Sequence, residues 1–501
     1  MVGFRQSVCS LLGYLFFRLS PPGCYHDFKQ DVPKSVVIVG AGSAGLAMLK
    51  TLLALPVESR SEWDIVLYER RRDVGGIWLP DPSPPPPPKL PETPLYPLLH
   101  ADTPVPIMTY PHLPFPPSTP LFPSHEYIER YHQDYATHYD LWPYIKFNHS
   151  VLSSSWVGTP HAGHWEIVVE DHNGDRIQKS FDHLVAAVGL SYAPHMVIFP
   201  GQETWLENTK GGLQREIFHS MWYRHPSWYV NQTVVVVGGG ASGVDVSSQV
   251  SQYARKVYLS VRSSLRGGMP TGPVEMKPEI SHFTLDEVIF TDGSTVQDVD
   301  TIILATGYDL RVPFLEEGGE VIVKPGSNET DEQRLTTNLR YLFPLHKHIF
   351  SLSASYPTNA LAFIGLPGSP FRLSTRPSII VNGSLLAPRA ELLSELADSE
   401  EDLRRRGYDP YYIGHKMVDN SAFDYQEGLI KTLRLKEGLP KQNITFRGWK
   451  RLEALGLAEE WLAGVESEDE WADLMRRVNA WQRDWETVHH LVFPDVILVY
   501  S

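Results

Sequence analysis

The stretch Lys34–Leu55, KSVVIVGAGSAGLAMLKTLLAL, decides the fold. An apolar run, Val36–Val39, leads straight into Gly40-Ala-Gly42-Ser-Ala-Gly45. Behind the glycines, Leu46, Leu49, Leu52 and Leu53 recur at the spacing of one buried helical face. The order strand, turn, helix gives each glycine a task. Gly40 permits a tight turn, Gly42 lets a pyrophosphate approach the backbone, and Gly45 lets helix and strand pack closely. The helix N-terminus then offers amide donors and positive potential to phosphate. A second strand, DIVLYER, carries Glu69 near its end, where a carboxylate accepts hydrogen bonds from ribose hydroxyls. Gly76 and Trp78 follow in RRDVGGIWLP, which suits a backbone lying against a large planar cofactor.

The unit recurs. QTVVVVGGGASGVDVSSQV predicts a strand over Thr233–Val237, a turn through Gly238, Gly240 and Gly243, and a second helix. The next strand, KVYLSVRSS, ends at Arg262 with no acid beside it. A cation there pairs with a 2′-phosphate, which a carboxylate would repel. The first site is therefore expected to bind FAD and the second NADPH, with hydride passing from NADPH to flavin.

Composition narrows the chemistry. The chain has 501 residues, enough for two or three domains, and a net charge of -15 that argues against general nucleic-acid binding. Its two cysteines, Cys9 and Cys24, exclude a disulfide scaffold and a cysteine-based zinc site. Both precede Gly40, so a disulfide reductase with a CxxC pair beside its flavin is also excluded. The 20 histidines show no convincing metal spacing, and no metal is expected. Near the N-terminus, SVCSLLGYLFF is too short to span a bilayer, and the SPPG that follows is a poor cleavage site. Five Asn-x-Ser/Thr sequons, at Asn148, Asn231, Asn328, Asn382 and Asn443, exceed chance and lean towards a secretory lumen. Cytoplasm and secretory pathway both stay open, as does membrane association.

Taken in order, these motifs resemble the flavin-containing monooxygenases of the soluble, fungal type. The first glycine motif, GGIW (Gly75–Trp78), GGGASGVD (Gly238–Asp245) and LATGYD (Leu304–Asp309) match the family pattern, and LAFIGLP (Leu361–Pro367) resembles its late flavin-domain strand. The resemblance covers roughly residues 34 to 430 and adds His219, Thr306 and Gly307 to the cofactor-binding set. The family fingerprint FxGxxxHxxx(Y/F) is only partly kept. His219 and Tyr223 match in LQREIFHSMWY, whereas Leu213 and Arg215 replace the phenylalanine and the glycine. The tyrosine favours heteroatom oxygenation over the Baeyer–Villiger branch. After LAFIGLP, Arg376 and Pro377 stand where the family often shows an acid and a glutamine.

The resemblance implies a concrete reaction. NADPH reduces FAD, oxygen adds at flavin C4a to give a hydroperoxide, and a soft sulfur or nitrogen nucleophile takes the distal oxygen. The partners are then a small-molecule nucleophile and molecular oxygen, and a homodimer is compatible. Two rival readings stay open: an uncoupled NADPH oxidase that releases peroxide, and a degenerate flavoprotein that binds cofactor without turnover.

The expected fold class is α/β, with two Rossmann-like dinucleotide-binding domains and the NADPH domain inserted into a discontinuous FAD domain. The expected divisions are an extension over 1–33, FAD domain over 34–204, NADPH domain over 205–305, and returning FAD domain with a helical C-terminal region over 306–501. Asp81–Pro94, DPSPPPPPKLPETP, reads as an extended surface loop. The following stretch, LYPLLHADTPVPIMTY (Leu95–Tyr110), resembles the family's Y-x-x-L-x-T-N-x-P segment. Tyr96, Leu99, Pro104, Met108 and Tyr110 fit it, and Asp102 falls on the asparagine that the family holds near the flavin's reactive edge. Aspartate has nearly the shape of asparagine, but when ionised it lacks the amide donors. Asp102 is thus the candidate catalytic residue.

Overall fold

A computed structural model describes residues 34–366, except 56, 103–104, 109, 111–112, 114, 117–118, 121, 209–213, 263–264 and 266–267, together with 387–418 and Tyr425. The N-terminal extension, Leu213, Arg376, Pro377 and the sequons at Asn382 and Asn443 lie outside the described residues.

The first sheet is built on Ser35–Val39, which pairs in parallel with Asp64–Glu69 on one side and His183–Ala186 on the other. Ile145–Phe147 and Leu361–Phe363 extend it in parallel, and two short strands, Leu345–His346 and Phe350–Ser351, close one edge antiparallel. Successive side chains of a strand point to opposite faces, so each strand feeds two cores. Val36 and Ile38 pack with Leu46, Leu49 and Leu52 of the helix Ser43–Leu53. Val37 and Val39 pack with Trp165, Ile167 and Phe181, which belong to the antiparallel sheet Ser150–Gly158, Gly163–Glu170, Arg176–Phe181. Cover on both faces explains why these strands read as unbroken apolar runs.

The second sheet is parallel throughout, in the order Val274–Lys277, Lys256–Ser260, Thr233–Val237, Thr301–Leu304, Glu216–His219. It repeats the two-faced arrangement. Val234 and Val236 meet Val244 and Val250 of the helix Ala241–Val250, while Val235 and Val237 meet Trp205, Phe283 and Phe290. All of it falls in sequence between His183–Ala186 and Leu361–Phe363, which are hydrogen-bonded neighbours in the first sheet. The second unit is therefore an insertion into the first. Ala193–Pro194 and Tyr308–Asp309 pair antiparallel where the chain leaves and returns.

The fingerprint departure at Arg215 has a structural cause. Its buried guanidinium donates to the carbonyls of Trp205 (3.1 Å) and Leu285 (2.7 Å) and lies 4.9 Å from the Trp205 ring. An arginine here braces the inserted core. Residues 81–94 form no helix or strand and are mostly exposed. They are pinned at Thr93, whose hydroxyl donates to the Ile77 carbonyl (2.6 Å), and at Lys89, whose carbonyl accepts from the Trp222 indole (2.8 Å). Among the described residues, no helix is long and apolar enough to cross a membrane.

Candidate functional site

The two glycine turns have the same construction. Gly40 and Gly238 hold φ of +106° and +123°, and a Cβ on either would come within 2.6 Å of the Ala187 carbonyl oxygen or 2.3 Å of the Ala305 carbonyl oxygen. A Cβ on Gly45 would lie 1.8 Å from the Gly40 oxygen, and one on Gly243 would lie 1.8 Å from the Gly238 oxygen. The middle glycines differ from these. At Gly240 a Cβ would meet nothing within 4 Å, and at Gly42 it would meet only Gly76, at 3.5 Å or more. Both stand as N-caps of their helices, and neither helix start is capped by a side chain. Open space beside uncapped amides is what a pyrophosphate needs, so both turns fit a dinucleotide.

Glu69 is buried at the end of its strand. Its two carboxylate oxygens accept from the backbone N–H of Ala41 (2.6 Å) and of Arg71 (2.9 Å). A carboxylate has about four lone-pair positions, so acceptor capacity remains for ribose hydroxyls. Gly76 and Trp78 sit in the short 3-10 turn Gly76–Trp78, and Trp78 packs on the first core. That turn is held by a residue the sequence did not single out. Arg71 is buried and donates to the carbonyls of Gly76 (2.8 Å), Leu79 (2.7 Å) and Pro80 (3.0 Å) and to the Glu92 carboxylate (2.9 Å). The arginine-rich RRRD run was the only sequence signal, and it does not say which arginine turns inward.

His132 is a second missed residue. It comes from the helix His125–His138 and is completely buried. Nδ1–H donates to the Ile128 carbonyl (2.7 Å), which leaves Nε2 to accept the Ser43 hydroxyl (2.7 Å). Burial lowers its pKa to about 4, so the ring is neutral near pH 7. Tyr110 reaches the same turn, its hydroxyl donating to the Ser43 carbonyl (2.6 Å).

In the inserted unit, His219 ends the strand Glu216–His219 with its ring completely buried. Nδ1 accepts from the Met221 N–H (3.0 Å) and Nε2–H donates to the Gly307 carbonyl (2.8 Å). With both nitrogens engaged and no exposed atom, His219 braces the Gly307 turn and does not itself meet solvent. Burial pulls its pKa down to about 4. Thr306 donates through its hydroxyl to the His195 carbonyl (2.6 Å). Gly307, at φ +82°, opens outward, and a Cβ there would meet nothing within 4 Å. Arg262 is exposed just beyond the strand Lys256–Ser260 and donates to the Tyr412 hydroxyl (2.6 Å).

The units are joined by the stretch Leu95–Tyr110. Tyr96 is buried in the inserted core, and its hydroxyl donates to Asp245, which also accepts from Gln249 (3.0 Å). Ala101, Val105 and Met108 pack in the first core with Ala41, Ala44 and Val74. Asp102 lies between these anchors and is exposed. The neighbours of Asp102 thus belong to the core of the first unit, while Asp102 itself is exposed.

The model of the FMO-like family, flavin-binding monooxygenase-like, matches residues 33–268 and 263–366. The chain belongs to that family, whose members are FAD- and NADPH-dependent monooxygenases. The flavin-containing monooxygenase FMO GS-OX4 of Arabidopsis thaliana is 28% identical over 447 residues, covering 83% of this chain and 88% of its own. Flavin-containing monooxygenase 5 of Rattus norvegicus is 25% identical over 457 residues, covering 75% and 79%. Among solved structures, S-allyl-L-cysteine S-oxygenase from Allium sativum shares the fold with a TM-score of 0.71 at 24% identity, over 92% of this chain and 100% of that one. Tmm from Pelagibacter shares it with a TM-score of 0.62 at 21% identity, over 80% and 86%.

Proposed function

We propose that this monooxygenase places one atom of O2 on a soft sulfur or nitrogen nucleophile. NADPH and a proton supply the two electrons that reduce the second oxygen atom to water. The observation that carries this reading is the presence in one chain of two glycine turns with open middle glycines, the first followed by the buried carboxylate Glu69 and the second by the exposed Arg262. FAD, when bound, supplies hydride acceptance and the activation of oxygen. Gly40, Gly42, Gly45, Glu69, Gly76 and Trp78 would hold it. Gly238, Gly240, Gly243 and Arg262 would hold NADPH, with His219 and Thr306 positioning Gly307 between the two units. We place the crossings between the units near His195 and Gly307, because Phe199 and Trp205 already pack in the inserted core.

The remaining work of the protein is to orient the two cofactors and keep water out. A lone pair on sulfur or nitrogen needs no protein base to attack an electrophilic oxygen, so no catalytic triad is required. Purified protein is expected to be yellow, to bleach with NADPH without air, and to yield oxygenated product with air and a panel of thioethers, thiols and amines. Failure to bleach would remove the enzymatic reading. Peroxide formed one-for-one with NADPH, with no oxygenated product from any nucleophile, would leave an oxidase.

Two substitutions test individual roles. Arg262→Ala is expected to raise KM for NADPH about tenfold or more, as loss of a charge-assisted contact does, and to leave KM for NADH unchanged. Equal effects on both coenzymes would refute the 2′-phosphate role. Asp102 is proposed to border the flavin. Asp102→Asn is expected to retain or improve oxygenation, whereas Asp102→Ala raises the peroxide released per NADPH. Unchanged coupling in both variants would make Asp102 an ordinary loop acid.

A further inference from the structure

Arg262 does not stand alone at its strand end. The short C-terminal helix Pro410–Ile413 delivers Tyr412 to it across 150 residues of sequence. A second guanidinium, that of Arg340, lies 4.6 Å from the centre of the Tyr412 ring. Tyr412 is 46% exposed. Among the described residues, neither arginine meets a carboxylate within ion-pair distance. Two guanidinium groups without a carboxylate partner thus lie around one exposed phenol on a chain of net charge -15, an arrangement that favours a local anion.

The platform under Tyr412 is closely hydrogen-bonded. Asp409 caps the helix by accepting from the Tyr411 N–H (3.0 Å). The Asn338 amide donates to the Tyr411 carbonyl (3.0 Å), and the Leu342 N–H donates to His415 Nε2 (3.1 Å). A Cβ on Gly414 would lie 2.1 Å from the Arg340 carbonyl oxygen, so the two backbones are in tight contact. Tyr411 packs edge-on against Phe343, 4.9 Å between centres. Segments 338–342 and 409–415 therefore hold the backbones that carry Arg340 and Tyr412 side by side. Their location is also informative: they meet Arg262 beyond the end of the second strand of the parallel sheet, where a dinucleotide fold presents its ribose.

We infer that Arg340 and Tyr412 complete, with Arg262, the pocket that recognises the 2′-phosphate of NADPH. This rests on the reading of Arg262 given above. Arg262 donates to the Tyr412 oxygen, which leaves the phenol O–H free to donate outward to a phosphate oxygen. Arg340 adds the second positive charge. The C-terminal turn thereby becomes part of coenzyme selection, although it lies outside both glycine motifs.

The test is calorimetric titration of oxidised, flavin-loaded protein with adenosine 2′,5′-bisphosphate and with 5′-AMP. Retained flavin and an unchanged melting temperature establish that each variant is folded, and Arg340→Gln serves if Arg340→Ala is not. Arg340→Ala is expected to weaken the bisphosphate about tenfold or more, and Tyr412→Phe about three- to tenfold, with 5′-AMP unaffected. Weakening by Arg262→Ala alone would overturn this inference and leave the 2′-phosphate role of Arg262 standing. No weakening by any of the three would overturn both. Tighter bisphosphate binding by Tyr412→Phe would make the phenol a plug in the pocket and would also overturn the inference.

Discussion

Gly45→Ala is expected to give protein that carries little or no flavin. The added methyl would lie 1.8 Å from the Gly40 oxygen and 3.0 Å from the Gly40 carbonyl carbon, both of them backbone atoms of the turn itself. Neither can yield as a flexible side chain would. Relief requires the helix Ser43–Leu53 to move off the strand, yet Leu46, Leu49 and Leu52 are fully buried beneath it. Overpacking of this kind costs about 1–3 kcal/mol, and more where the clashing atoms are backbone that cannot yield. Gly243→Ala creates the same 1.8 Å clash in the inserted unit, so there the expected loss is of NADP+ binding with flavin retained. Gly240→Ala is the control: nothing lies within 4 Å of its Cβ, so the protein folds and keeps flavin while NADP+ affinity falls. The measurement is the flavin-to-protein absorbance ratio beside NADP+ titration. Full flavin content and a normal melting temperature in Gly45→Ala would refute the close-packing account.

Acid is expected to strip the flavin well before the fold's carboxylates account for it. His132 and His219 are completely buried, and burial holds the pKa of each at about 4, below the usual 6.5. As the pH falls, the unfolded chain therefore takes up these protons first. The stabilisation is fully present above about pH 6.5 and is lost progressively towards pH 4, on the order of 3 kcal/mol for each group. His132 is the more consequential, because its Nε2 accepts the Ser43 hydroxyl at the first helix start. Flavin release and melting temperature followed against pH check this. Wild-type protein should weaken across that window, while His132→Gln should be less stable near pH 7 yet show a flatter profile. A wild-type melting temperature that is the same at about pH 4.5 and about pH 7 would show that these rings carry no such linkage.

The parts legible in the sequence are those whose chemistry is local. Gly40 and Gly45 act within one strand–turn–helix unit, so their spacing alone reports their contact. Arg215 shows the limit of pattern reading: it replaced a fingerprint glycine, but its partners, Trp205 and Leu285, lie on either side of it in sequence and far apart. Arg71 could not be told from Arg70 and Arg72 until the backbone turned it towards Gly76 and Leu79. His219 was legible as a position but not as a role, since its burial depends on the return of the chain at Gly307. Arg262 was found from the strand end, whereas the tyrosine against it comes from a helix that no nearby motif announces.

Leu95–Tyr110 carries a kinetic meaning as well as a structural one. It is fastened to the inserted unit through Tyr96 and Asp245 and to the first unit through Tyr110 and Ser43. Two redox partners on independent bodies would meet at a rate set by their concentrations. Once both cofactors are bound, a strap fastened at both ends would favour one mutual orientation, and well-oriented systems reach effective molarities of about 10⁵ M or above. In the reading proposed above, Tyr96 and Tyr110 would bear on hydride transfer by fixing how the two units face each other.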